Sequence, residues 1–256
     1  MIPPALSSVP RRTRRFVSTL SVVLAACVAA VLGVGVQPAS AAGVLYGIDV
    51  SHYQGSINWT SVKAAGTSFA YIKATEGTTF HDPNFSSNYT NAYYAGLIRG
   101  AYHFARPDSS GGAAQADYFA SHGGGWSADN QTLPGMLDIE YGPNSTCYGL
   151  SQASMVSWIS AFLNEYHART SRWAPIYTTT DWWKTCTGNS SAFAGNSPLF
   201  VARYSSSAGT LPAGWGFWTF WQYTSTGSVS GVPGNVDRDQ FNGSADRLLA
   251  LANNTP

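Results

Sequence analysis

The sequence predicts an α/β protein, a single-domain incomplete (β/α) barrel of about eight strands with some of its helices missing. Three observations carry this. From Gly43 onward, over about 214 residues, eight short runs rich in β-branched, aliphatic and aromatic residues recur between loop-like stretches. Helix-compatible segments separate most of the early runs, the alternation that builds parallel strands. The composition is 14% aromatic and only 11% charged, too apolar for a disordered chain and suited to a large core. A length of 256 residues allows one or two domains. No internal repeat and no Pro/Ser-rich linker divides the chain, so one is expected. Because about 214 residues fall short of the about 250 of a full barrel, helices should be missing among the later strands.

The expected strands are residues 44–50, 69–74, 98–104, 135–140, 175–179, 199–204, 217–223 and a short piece at 235–237. The clearest helix is 151–168, where Met155, Trp158, Ile159, Phe162, Leu163 and Tyr166 recur at i, i+3, i+4 spacing behind Ser151 as N-cap. Shorter helices fit 84–95 and 113–122. The Gly/Ser-rich stretches at 109–112 and 225–231 read as loops.

Residues 1–41 read as a cleaved secretion signal. Arg11, Arg12, Arg14 and Arg15 precede an uncharged, largely apolar run over 16–36, and small residues at 37–41 offer a cleavage site after about Ala41. The run is long enough for an uncleaved anchor, and the residues up to Cys27 resemble a lipid-attachment site. Both alternatives are weaker, because a proline and small residues follow the run and an apolar stretch follows Cys27. Of fourteen basic residues those four arginines leave ten against thirteen acids, a net of −3 that argues against a nucleic-acid partner. The remaining two cysteines, Cys147 and Cys186, form an even pair in an exported chain and read as one disulfide.

Charge is scarce, so acids inside apolar runs stand out. Asp138 and Glu140 lie i and i+2 on a strand, which places both on one face while Leu137 and Ile139 point to the other. Two like charges at the interior-facing end of a strand raise one another's proton affinity, holding one acid protonated beside an ionised partner. General acid catalysis needs that arrangement. An exposed edge with two solvated acids is the plainer alternative. Asp49 ends the first strand, where a barrel places active-site residues, and Asp237 ends the last strand in the same way. Capping of a turn by Asp49, and an ion pair of Asp237 with Arg238 or Arg203, are the local alternatives.

Tyr102, Tyr177 and Trp221 lie on or beside strand ends, where flat rings with polar tips can line a binding cleft. Core packing claims most other aromatics. Lys73 either bridges Glu76 or faces the site. His52, His81 and His103 have no metal-ligand spacing with other side chains, and phosphate-loop and serine-elbow motifs are absent. No metal and no cofactor are expected.

The segments GIDVSHYQG at 47–55, YIKATEGTTFHD at 71–82, GAYHF at 100–104 and DIE at 138–140 resemble the Chalaropsis-type lysozymes, family 25 of the glycoside hydrolases. The resemblance spans essentially the whole chain after residue 41 and implies an incomplete β/α barrel. It also implies an N-acetylmuramidase that cleaves the β-1,4 bond from MurNAc to GlcNAc in peptidoglycan. The family's catalytic glutamate corresponds to Glu140, the acid of its Asp-x-Glu motif to Asp138, its first-strand aspartate to Asp49 and its late aspartate to Asp237. Asp239 stands where the family often shows Asn. On this reading Glu140 protonates the glycosidic oxygen and later activates water. Asp138 either attacks the anomeric carbon or stabilises attack by the 2-acetamido group of the substrate. The implied partner is the peptidoglycan glycan strand, met by an extracellular monomer without stable membrane association. A non-catalytic glycan-binding barrel, or a hydrolase of chitin or another N-acetylated glycan, are the rivals.

Overall fold

The computed structural model describes residues 43–255, so the expected secretion signal lies outside the described residues. Strands β1 (Leu45–Val50), β2 (Phe69–Glu76), β4 (Ile98–Phe104), β5 (Met136–Asp138), β6 (Ile176–Thr178), β7 (Leu199–Ala202), β8 (Phe220–Gly227) and β9 (Val236–Phe241) pair in that order, and β1 pairs with both β2 and β9. The sheet therefore closes into an eight-stranded barrel. A two-residue β3 (Phe80–His81) lies antiparallel beside β2. From β1 round to β8 the neighbours are parallel, whereas β9 runs antiparallel to both β8 and β1.

Alternation along the strands sorts side chains into two layers. Phe69, Tyr71, Met136, Phe200, Phe220 and Phe241 fill the barrel interior. Ile48, Val50, Ile72, Leu137, Ile139 and Ile176 face outward against a ring of helices. These are α1 (Trp59–Ala64), α2 (Phe85–Tyr94), α3 (Gly112–Phe119), α4 (Gln152–Thr170) and α5 (Thr180–Thr187). α6 (Ala245–Asn253) instead inserts Leu248 and Ala252 into the interior cluster beside Leu45 and Ile98, the first residues of β1 and β4, and so packs against the barrel's N-terminal end. α3 and α4 approach closely at Gly112, where a Cβ would overlap the Trp158 carbonyl oxygen.

The expected helix at 151–168 is α4, with Ser151 accepting from the Ser154 backbone N–H at 3.2 Å. The helix expected at 113–122 is shorter: α3 passes at Phe119 into a π turn, Ala120–Gly124, in which Gly123 has φ 113. Among the described residues no helix joins β7 to β8 or β8 to β9, which accounts for the short chain. The last strand differs most from expectation. It continues to Phe241 and runs antiparallel, because the chain turns back from β8 through a helix-free loop instead of crossing over. Cys147 and Cys186 form the expected disulfide, Cα atoms 5.3 Å apart, tying the segment before α4 to α5.

Candidate active site

At the C-terminal ends of the parallel strands lies a cavity of about 240 Å³, lined among others by Asp49, Lys73, Tyr102, Asp138, Glu140, Tyr177 and Asp237. Seven of the eight sugar-site residues expected from the sequence therefore meet there. Asp49 is the last residue but one of β1, Asp138 closes β5 and Glu140 follows two residues on. β5 ends at Asp138 rather than at Glu140, yet the extended backbone still sends both acids inward while Leu137 and Ile139 stay fully buried on the other side. Asp237 stands at the beginning of β9, not at the end of a parallel strand. Since β9 is reversed, its beginning lies at the same mouth and pairs with Asp49.

Trp221 is the exception. Its indole N–H donates to the Arg203 carbonyl at 2.9 Å and its ring packs with Leu199, Val201 and Ala208 outside the cavity. The pleat gives the inward position to the next residue, Gln222, which the sequence reading passed over. Gln222 Nε2 donates to Asp49 Oδ2 at 2.7 Å, and its Oε1 accepts from the Tyr177 hydroxyl at 2.8 Å. Tyr177 thus orients Gln222, and Gln222 orients Asp49. The alternation that turns Trp221 outward was the available signal for Gln222.

Burial dominates the electrostatics. It is the first cause raising Glu140 to about 7, with the Asp237 charge adding to it and Lys73 opposing. Asp138 is 7% exposed and pushed well above the usual carboxylate range by burial, then by Glu140. Its Oδ1 receives no hydrogen bond from the described residues. Asp237 rises to about 6, and Asp49 well above its usual range, again mainly through burial. Mutual repulsion between Asp138 and Glu140, the cause expected from sequence, is thus secondary to desolvation. Lys73 lines the cavity and pairs with Glu76 at 2.7 Å. Glu76 also receives Arg106 at 3.2 Å, so the cation beside the acids is held from behind.

The cavity opens into a groove on either side. Toward β6 and β7, hollows of about 380 and about 420 Å³ carry Tyr141, Thr179, Asp181 and Arg203. Toward β2, one of about 490 Å³ carries His52, Phe80 and Arg106. Three exposed tyrosines, Tyr53, Tyr141 and Tyr204, stand along this groove. Tyr53 lies within the 47–55 segment and Tyr141 beside Glu140, positions that could have marked them. His52 is held aside from the acids by Asp82, which accepts from its backbone N–H and contacts its Nδ1 at 2.7 Å.

A cavity flanked by hollows on both sides, with converging acids at its centre and one of them raised to about 7, fits a glycosidase built on a β/α barrel. The chain belongs to family 25 of the glycosyl hydrolases, whose profile matches residues 48–232. It is 64% identical over 221 residues to lysozyme M1 of Streptomyces globisporus, covering 86% of this chain and 75% of that protein. It is 51% identical over 211 residues to an N,O-diacetylmuramidase of a Chalaropsis species, covering 80% of this chain and 98% of the relative. The crystal structure of a bacterial lysozyme from Streptomyces coelicolor superposes with a TM-score of 0.82 at 64% identity, over 84% of this chain and 99% of that one. The protein is an enzyme of the lysozyme type.

Proposed function

We propose that residues 42–256 form the catalytic domain of a secreted muramidase, released after removal of residues 1–41, that cleaves the β-1,4 bond from MurNAc to GlcNAc in peptidoglycan. The observation that carries this is Glu140, raised to about 7 by burial and by the Asp237 charge, beside Asp138 in the same cavity. A carboxyl group with that affinity is protonated enough to donate to a glycosidic oxygen near neutral pH, then basic enough to activate water. Asp138, its Oδ1 free of donors among the described residues, faces the positive charge that develops at the anomeric carbon. It serves as nucleophile or as the group that orients and stabilises attack by the substrate's 2-acetamido oxygen. Asp49, fixed by Gln222, and Asp237 bind sugar hydroxyls and set the proton affinity of the pair. Tyr102 and Tyr177, with Lys73, hold the sugar ring over these acids. The enzyme works as a monomer on glycan strands, and no helix among the described residues is long and apolar enough to cross a membrane.

Digestion of peptidoglycan by the chain lacking residues 1–41, with identification of the new reducing ends, tests this. MurNAc reducing ends are expected from the wild type, falling by about 10²–10⁴-fold in Glu140→Gln. GlcNAc ends, or cleavage of chitin oligomers in preference to peptidoglycan, would reassign the bond. Saccharide binding without hydrolysis would make the barrel a binding module.

A further inference from the structure

Asp239 is a buried acid for which the reaction above has no task. It lies on β9 two residues past Asp237, on the same inward face, opposite Gly47 of β1 and Gln222 of β8, and none of its surface reaches solvent. No N–H or hydroxyl donor among the described residues reaches either carboxyl oxygen. Asp49 stands two residues along β1 from Gly47, on the same inward face, and is the acceptor that β1 places beside it.

The one cation that acts on it, Arg238, lowers its proton affinity by less than either neighbouring acid raises it. β1 contributes Asp49, and β9 itself contributes Asp237, both acidic. Gln222 of β8 has committed its amide N–H to Asp49. The Tyr71 hydroxyl of β2 donates to the Pro134 carbonyl at 3.2 Å, and Tyr223 of β8 is a neutral phenol nearby. Arg238 is adjacent in sequence, but its guanidinium donates to the Ser228 carbonyl at 3.2 Å and lies over the Tyr46 ring. Phe69, Phe220 and Phe241 belong to the same interior cluster.

A hydrogen bond between two carboxyl groups requires one of them to carry the proton. Burial raises both acids, but Asp49 accepts from Gln222, which favours its charged form, whereas Asp239 has no donor except its own O–H, so the proton falls to Asp239. We propose that Asp239 is a neutral carboxylic acid whose O–H donates to Asp49, making it a positioning residue that holds Asp49 against Gln222 at the active site. Burial, together with the Asp49 and Asp237 charges, pushes its proton affinity in the direction this needs.

The activity readout rests on the muramidase reading, so an infrared readout independent of turnover accompanies it. In the difference spectrum between wild type and Asp239→Asn at pH 7, the carbonyl band of a buried neutral carboxylic acid is expected in the wild type and gone from the variant. In kinetics, Asp239→Leu, which cannot donate, is expected to lose about tenfold or more in kcat, the scale of one hydrogen bond to a charged group. Asn, which donates from the same place, should restore kcat to within about threefold of wild type. The alkaline limb of the pH profile should stay within about 0.3 unit in Asp239→Asn and fall in Asp237→Asn, which removes a charge. A limb that falls in Asp239→Asn as it does in Asp237→Asn, or a folded Asp239→Asn that is inactive, would overturn the proposal. So would a difference spectrum without the neutral-acid band. If Asp239→Leu does not fold, the Asn variant and the spectrum decide. If the wild type has no muramidase activity, the function above fails and the spectrum alone judges Asp239.

Discussion

Glu140 carries the strongest expectation at the scale of single residues. Its carboxyl group is raised to about 7, so the protonated, donating form is present below that pH and disappears above it. Activity should therefore decline as pH rises through about 7. Asp237→Asn removes one of the negative charges that raise Glu140 and should move this alkaline limb down by about one unit. A limb that stays in place would separate Asp237 from the acid it is argued to tune. Behind Asp49, Tyr177→Phe breaks the bond that orients Gln222, and kcat/KM should fall by about three- to tenfold with folding intact, the scale of one neutral hydrogen bond. The four acids were legible in the sequence because charge is rare in this chain and each acid interrupts or ends an apolar run. Gln222, Tyr53 and Tyr141 carried only positional signals, the strand alternation and the neighbouring motif residues, and Tyr204 carried none, because by residue type a glutamine or a tyrosine near a strand end looks the same whether it faces cavity, core or solvent. Trp221 illustrates the limit: a one-residue difference in pleat exchanges the groove for the outer core.

The same pattern holds for whole elements. α4 declared itself through a long apolar stripe and a capping serine, and β4 has the residues expected of it, 98–104. α1 and α5 were invisible, being six and eight residues of mostly weak helix formers. α5 is held instead by the Thr179 cap on the Trp182 N–H and by burial of Trp182 and Trp183, which no local pattern reveals. α6 had a usable signal, Ser244 ahead of a Leu/Ala-rich run. His103 shows how elements are tied together. It sits fully buried on β4 between Thr75 of β2, 2.7 Å from Nδ1, and Gln115 of α3, 2.9 Å from Nε2. Gln115 Oε1 only accepts, so Nε2 carries the hydrogen and Nδ1 accepts from the Thr75 hydroxyl. Burial lowers this imidazole to about 4, so the folded state stays neutral where the unfolded chain, near 6.5, takes up a proton. Its contribution is whole above about 6.5 and is lost as pH falls toward about 4, on the order of 3 kcal/mol. Chemical denaturation across that window should show a steeper acid loss in the wild type than in His103→Gln. Equal slopes would mean that His103 protonates without penalty.

Closure of the barrel ties the described residues together end to end, because the first strand is hydrogen-bonded to the last as well as to the second. Against that background the disulfide has a definite expected effect. It links two segments separated by 39 residues, and these meet through other contacts as well: Trp182 Nε1 donates to the Thr146 carbonyl at 2.7 Å, and Cys186 and Tyr148 lie in the same core cluster. The native arrangement therefore persists without the covalent bond, and the change falls on the unfolded chain, which gains the freedom of an opened loop. For a closed loop of that length the chain-entropy estimate is roughly 3–4 kcal/mol. In a domain of this size that corresponds to a fall in Tm of about 10 °C. Neither cysteine lines the catalytic cavity, so the Cys147→Ser/Cys186→Ser protein should keep the wild-type kcat at 25 °C while melting earlier by that margin. A double variant that melts within about 2 °C of wild type would place the stabilisation in the surrounding tryptophan packing rather than in the cross-link. Loss of kcat at 25 °C in a folded variant would instead show that the bond shapes the groove through Tyr141 and Thr179, which flank the two segments it joins.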